Sequence, residues 1–85
     1  MDLKKIDMLE TGFKLKKLRL NKRITQRELG EKIGLTTTLV SCLERGAVNL
    51  TMENAIKLQQ FYKCKFEDFI VLKDNEKGAD ENEQN

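Results

Sequence analysis

The chain has 85 residues, 35% of them charged and 39% hydrophobic, with one tyrosine, four phenylalanines and no tryptophan, histidine or proline. A chain of this length forms one domain at most and cannot wall off a spacious enzyme cleft. No apolar run approaches the roughly 18 residues of a membrane helix, and the N-terminus lacks the apolar core of a signal peptide, so a cytoplasmic protein without a membrane partner is expected.

The net charge of +2 divides unevenly: residues 1–72 carry fourteen Lys and Arg against nine Asp and Glu, and residues 73–85 carry two against five. This asymmetry and the apolar pattern mark out residues 1–10 as an arm, 11–72 as a domain and 73–85 as an acidic tail.

In the arm, Leu3, Ile6 and Leu9 recur at three-residue intervals behind Asp2, which suits either a helical extension or a frayed segment. Thr11 is a plausible cap for a first helix from Gly12 to Asn21, with Phe13, Leu15, Leu18 and Leu20 as its apolar stripe. Between residues 13 and 33, Lys14, Lys16, Lys17, Arg19, Lys22, Arg23, Arg27 and Lys32 face only Glu28 and Glu31. Alone, such a run reads as a solvated helix face. Next to the pattern that follows, it reads as attraction for a polyanion.

That pattern is ITQRELGEKIGLTTTLVSCLERG, Ile24 to Gly46. Thr25 and Glu28 have the spacing of a capping box, which starts a second helix whose Leu29 and Ile33 share a face. Gly34 permits the left-handed backbone that closes it. Thr36 caps a third helix whose Val40 and Leu43 point inward, leaving Thr37, Thr38, Ser41 and Cys42 outside. Two short amphipathic helices joined by a glycine turn outline a helix-turn-helix, and small polar residues on the outer face suit entry into a major groove.

After the loop Ala47 to Leu50, Thr51 caps a fourth helix, Met52 to Tyr62, with Ala55, Ile56, Leu58, Gln59 and Tyr62 along one side. Lys63 breaks the pattern. A fifth short helix is read from Phe66 to Leu72, with Phe66, Phe69 and Ile70 at i, i+3 and i+4. From Lys73 the run KDNEKGADENEQN has one small apolar residue, too little to offset its ordering entropy, so a disordered tail is expected. The fold class is all-α: five helices and no strand.

Catalytic and metal chemistry find no foothold in this composition. Cys42 and Cys64 are twenty-two positions apart and match no metal-ligand spacing without histidine. Cys64 reads as a small buried hydrophobe and Cys42 as a reduced surface thiol. Without a glycine loop for phosphates or a cysteine beside a base, no catalytic residue, metal, cofactor or small-molecule ligand is expected.

From Leu15 to Ile70 the chain resembles the Xre/Cro/phage-repressor family of helix-turn-helix domains. The likeness is carried by Leu15, Leu18 and Arg19; by Thr25-Gln26, Glu28-Leu29 and Ile33-Gly34; by Val40-Ser41, Leu43 and Glu44-Arg45-Gly46; and by Leu58, Tyr62, Cys64, Phe66 and Phe69. The chain departs from the family pattern at Gly30, where alanine is usual, and at Arg23 and Lys63, where glycine is usual. On helix propensity alone, Gly30 should cost about 1 kcal/mol relative to alanine.

The resemblance implies a compact five-helix lambda-repressor-like domain that binds double-stranded DNA. It places Thr37, Thr38 and Cys42, with Ser41 beside them, where the third helix reads base edges. Gln26 falls where the family binds a backbone phosphate; Arg27, Lys32, Thr36, Arg45 and Asn49 are candidates for further phosphate contacts. Arg19 and Glu44 fall where a structural ion pair joins the first and third helices. A homodimer through Phe66, Phe69, Ile70, Val71 and Leu72 is implied, setting two recognition helices one DNA turn, about 34 Å, apart on an inverted repeat. The reading is a Cro/C1-type transcriptional regulator, a repressor or autoregulator. Its size resembles restriction-modification controller proteins and phage or mobile-element regulators. A protein-interaction or antitoxin-like module on the same fold is the alternative, for which a long folded segment beyond the domain would speak.

Overall fold

The computed structural model describes residues 3–74. In chain order these form β1 (Lys4–Ile6), α1 (Met8–Asn21), α2 (Gln26–Ile33), α3 (Thr37–Arg45), α4 (Met52–Tyr62), a 3-10 turn at Phe66–Asp68 and β2 (Leu72–Asp74). The expected disordered tail falls almost wholly outside the described residues.

Each helix from α2 to α4 begins where a threonine hydroxyl receives a backbone N–H three residues on. Thr25 accepts from Glu28, Thr36 from Leu39 and Thr51 from Asn54, at 3.0, 3.0 and 3.1 Å. Glu28 returns the bond to the Thr25 N–H at 2.8 Å, completing the capping box. Helices α2 and α3 end on left-handed Gly34 and Gly46.

The first helix departs from the sequence reading. It begins at Met8, and its cap is Asp7, whose carboxylate accepts the Glu10 N–H at 3.1 Å. Thr11 lies inside the helix, fully buried, and its hydroxyl oxygen accepts the Val71 N–H at 2.9 Å. The stripe also splits: Leu15 is buried and Leu18 half-buried, while Phe13 and Leu20 are more than half exposed. At 100° per residue, positions 13 and 20 lie opposite position 15, so no single face holds all four.

Among the described residues four α-helices are present rather than five, together with a small sheet. The expected final helix is a 3-10 turn followed by extended chain, and strand β1 lies in the N-terminal arm. The arm, read as a helical extension or a frayed segment, is neither at Lys4–Ile6, while its last residues, from Met8, open α1. Strands β1 and β2 pair antiparallel, Lys4 with Asp74, Lys5 with Lys73 and Ile6 with Leu72. The Asp7 N–H continues the ladder to the Val71 carbonyl at 2.7 Å. Three-residue strands are too short to show an alternating period, and apolar Ile70-Val71-Leu72 satisfies a helix or a strand equally well.

The core joins Leu15 of α1, Leu29 of α2, Val40 and Leu43 of α3, Leu50 of the following loop, Ala55 and Leu58 of α4, and Phe69. Helix α1 crosses α3 at Gly12, where a Cβ would come within 2.4 Å of the Leu43 carbonyl oxygen. This absent side chain lets the two helices approach closely enough for Arg19 and Glu44 to meet.

Gly30 is a second close approach and corrects the propensity reading. It is buried, its carbonyl accepts both the Gly34 and Leu35 N–H groups, and a Cβ there would lie 2.4 Å from the Leu35 carbonyl oxygen. The turn folds back onto α2 too tightly for alanine. Arg23 and Lys63, the other departures, occupy left-handed backbone with φ of 59° and 54°.

Candidate nucleic-acid interface

The helix-turn-helix is fixed from inside by Leu29, Val40 and Leu43, and this anchoring decides what α3 presents outward. Thr36, Thr37 and Thr38 are exposed, and Ser41 and Cys42 are half-buried on the next turn. Arg45, also exposed, lies back along this turn. Its Nε reaches Ser41 Oγ and its Nη2 reaches Cys42 Sγ, each at 3.4 Å. Five small side chains therefore line a low surface with a guanidinium across its C-terminal end. Thr36 combines exposure with its capping duty: its hydroxyl oxygen already holds the Leu39 N–H.

The N-terminus of α2 supplies a second element. Its first N–H groups, those of Gln26 and Arg27, have no acceptor within the helix and form the positive end of the helix dipole. Such a terminus suits an anionic oxygen. Arg27 is exposed and makes a 3.3 Å surface pair with Glu31, while Lys32 and Asn49 are exposed. A pair this open leaves Arg27 free to exchange partners at little cost.

Gln26 is half-buried, and its Nε2 donates to Glu44 Oε1 at 3.0 Å. This bond ties α2 to the ion pair behind it. Arg19 donates from Nε to Glu44 Oε2 at 2.8 Å and from Nη2 to Glu44 Oε1 at 3.0 Å. Its Nη1 donates to the Ile24 carbonyl at 2.8 Å. The two side chains are 9% and 3% exposed, so the pair is desolvated, bidentate and almost fully satisfied. The bond to Glu44 pushes the Arg19 guanidinium above its ordinary value, against the opposing effect of burial. Tyr62 lies in the same field. Burial first, then the Glu44 charge, pushes its phenol up, and its buried Oη has no hydrogen-bond partner among the described residues.

Sequence reasoning missed the Gln26–Glu44 bond and the Thr11–Val71 bond. Their partners are 18 and 60 positions apart, and no local spacing signals either.

The residues expected at a dimer surface separate by exposure. Phe69 is 0% exposed and closes the core of its own chain, so it has no surface to offer a second one. An apolar triplet at helical spacing cannot distinguish a core-closing ring from an interface ring, and here packing inside the chain claims it. Phe66 and Leu72 are exposed, and Ile70 and Val71 are half-buried.

Among the described residues, no helix is long and apolar enough to cross a membrane.

The HTH_3 family model, described as helix-turn-helix, matches residues 15–69. An uncharacterized HTH-type transcriptional regulator of Methanocaldococcus jannaschii is 30% identical over 63 residues, spanning 74% of this chain and 96% of that protein. Among solved structures, the restriction-modification controller protein C.AhdI from Aeromonas hydrophila is 28% identical with a TM-score of 0.69, covering 74% of this chain and 91% of that one. The clp gene regulator ClgR from C. glutamicum is 26% identical with a TM-score of 0.67, covering 73% and 80%.

Proposed function

The chain belongs to the HTH_3 helix-turn-helix family, an Xre/Cro-like family of DNA-binding transcription regulators, and on that premise we propose that it represses transcription, its own included, by binding an inverted-repeat operator as a homodimer. The observation that carries this reading is the outer side of α3. Thr37 and Thr38 are exposed there while Val40 and Leu43 lock the opposite side into the core. The helix can therefore be offered to a major groove with its backbone fixed, the Arg45 side chain moving off Ser41 and Cys42.

In this reading Thr37, Thr38, Ser41 and Cys42 face base edges. A threonine hydroxyl serves a donor or an acceptor and its methyl meets thymine, so part of the selectivity comes from DNA shape. Gln26, Arg27, Lys32, Arg45 and Asn49 hold the phosphate backbone, and Thr36, whose hydroxyl oxygen caps α3, keeps its own O–H to donate to a phosphate. One module of this size touches too few base pairs for useful selectivity, which two copies supply. Phe66 and Leu72, with the exposed edges of Ile70 and Val71, form the proposed contact between them. The similarity to a restriction-modification controller protein supports a controller or mobile-element setting for this activity.

Selection from a random oligonucleotide pool tests the reading directly. An inverted repeat with half-sites one turn apart is expected, and recovery of no enriched sequence would overturn it. Affinity for the recovered site should fall steeply with salt, because phosphates neutralised by Lys and Arg release counterions.

A further inference from the structure

We propose that Glu44 is a positioning residue for DNA binding: through its Oε1 it orients the Gln26 amide toward the phosphate backbone, so the ion pair between α1 and α3 sets the affinity of the surface in front of it. The inference rests on the DNA-binding reading above and names the coupling within that site.

Glu44 is 8% exposed and its carboxylate receives three donors, two from Arg19 and one from Gln26, at 2.8 to 3.0 Å. Arg19 is held in turn by the Ile24 carbonyl. The carboxylate is therefore a fixed point with no freedom to follow a moving partner. Gln26, by contrast, is a long side chain that on an open helix terminus would sample several rotamers. Pinning one of its amide N–H groups to Glu44 fixes the plane of the amide and hence the direction of the second N–H. Beside it are the free backbone N–H groups that open α2.

Charge requires the same arrangement. A lone carboxylate next to a phosphate site would repel the phosphate, and the Arg19 guanidinium cancels that repulsion while leaving Oε1 able to accept from Gln26. The pair thus offers geometry to the phosphate site without offering it net negative charge.

The test is a double-substitution series on binding to a mixed-sequence duplex at low salt, where phosphate contacts dominate, with every variant shown to be folded by circular dichroism at the assay temperature. Gln26→Ala in the unaltered background is expected to weaken binding about tenfold, the scale of one hydrogen bond to a charged group. In a Glu44→Gln background the single side-chain oxygen is claimed by Arg19, and Gln26→Ala should then change affinity by less than about twofold. In an Arg19→Lys background, which keeps the Glu44 charge, the tenfold effect should persist. An equal factor in all three backgrounds overturns the inference. Failure of the unaltered protein to bind any duplex overturns instead the DNA-binding reading beneath it.

Nitrogen-15 spectra of the Gln26 side-chain amide give a second measurement that needs no folded variant. On adding the duplex, one of the two amide protons should shift while the Glu44-bound one keeps its resonance. Large shifts of both, or of neither, would overturn the positioning role.

Discussion

Arg19 and Glu44, twenty-five positions apart, meet as a bidentate ion pair with both side chains withdrawn from solvent, and Arg19 also holds the carbonyl of Ile24. Neither charge was removed from water without compensation, so the exposed quantity is what remains when one is deleted. Glu44→Ala leaves a guanidinium nearly buried with a single acceptor, and a loss of about 3 kcal/mol is expected. Thermal unfolding checks this. An unchanged melting temperature would show that the pair contributes nothing net.

The backbone at Gly30, Arg23 and Lys63 makes a prediction opposite to that of helix propensity. Gly30→Ala should destabilise the domain by about 1–3 kcal/mol, because its Cβ meets the Leu35 carbonyl oxygen and the turn between α2 and α3 must shift. Arg23→Gly and Lys63→Gly relieve left-handed strain and should each stabilise by up to about 1 kcal/mol. Urea titration of the three variants should therefore give one midpoint lowered and two raised.

Thr11 ties the C-terminal segment to α1 through the Val71 N–H, next to the Asp7 N–H bond to the Val71 carbonyl. Thr11→Val keeps the volume and removes the acceptor, leaving a half-buried N–H unpaired. A cost of about 1–2 kcal/mol is expected. Hydrogen exchange should accelerate first at Val71 and Asp7, with the core of α3 protected as before. Uniform acceleration would mean that the β1–β2 ribbon does not open separately from the rest.

These residues show what the sequence makes legible. Threonine caps at Thr25, Thr36 and Thr51 and the glycine exits of α2 and α3 are local signals, each read within a few residues, and the helix-turn-helix follows from them. The outward face of α3 was legible for the same reason, since Val40 and Leu43 fix which side turns in. The ribbon was not, because three-residue strands at opposite ends of the chain carry no period and pair only through tertiary proximity. Gly30 was misread because propensity describes an isolated helix, whereas its requirement comes from a carbonyl five residues on. The bond from Gln26 to Glu44 was not legible, because its partner lies on another helix.

Alkaline pH should destabilise the protein through two groups. Burial raises the Cys64 thiol, and burial with the Glu44 charge raises the Tyr62 phenol. In both the neutral form is favoured by the fold, so the unfolded chain loses its proton first and binds fewer protons than the native state. Stability is then full below the unfolded values and falls as pH rises above about 8.5 for the thiol and about 10 for the phenol. Tyr62 is the chain's one tyrosine, so phenolate absorbance reports it alone. Its midpoint in the folded protein should lie above that in denaturant, and Tyr62→Phe should flatten the alkaline loss. Coincident midpoints would contradict its burial.

The three threonines that open α3 separate stability from recognition. Thr36 accepts the Leu39 N–H, so Thr36→Ala should cost about 1 kcal/mol of stability through the lost cap. Thr37 and Thr38 are exposed and, among the described residues, appear in none of the side-chain hydrogen bonds that hold the helix, so their replacement by alanine should move the melting temperature by no more than about 2–4 °C, as for surface substitutions generally. If α3 enters the major groove, those two changes should nonetheless weaken specific binding by about 1 kcal/mol or more each, while leaving mixed-sequence affinity nearly unchanged. The ratio of operator to mixed-duplex affinity measures this. A ratio unmoved by both substitutions would remove α3 from the groove, whatever the rest of the fold resembles.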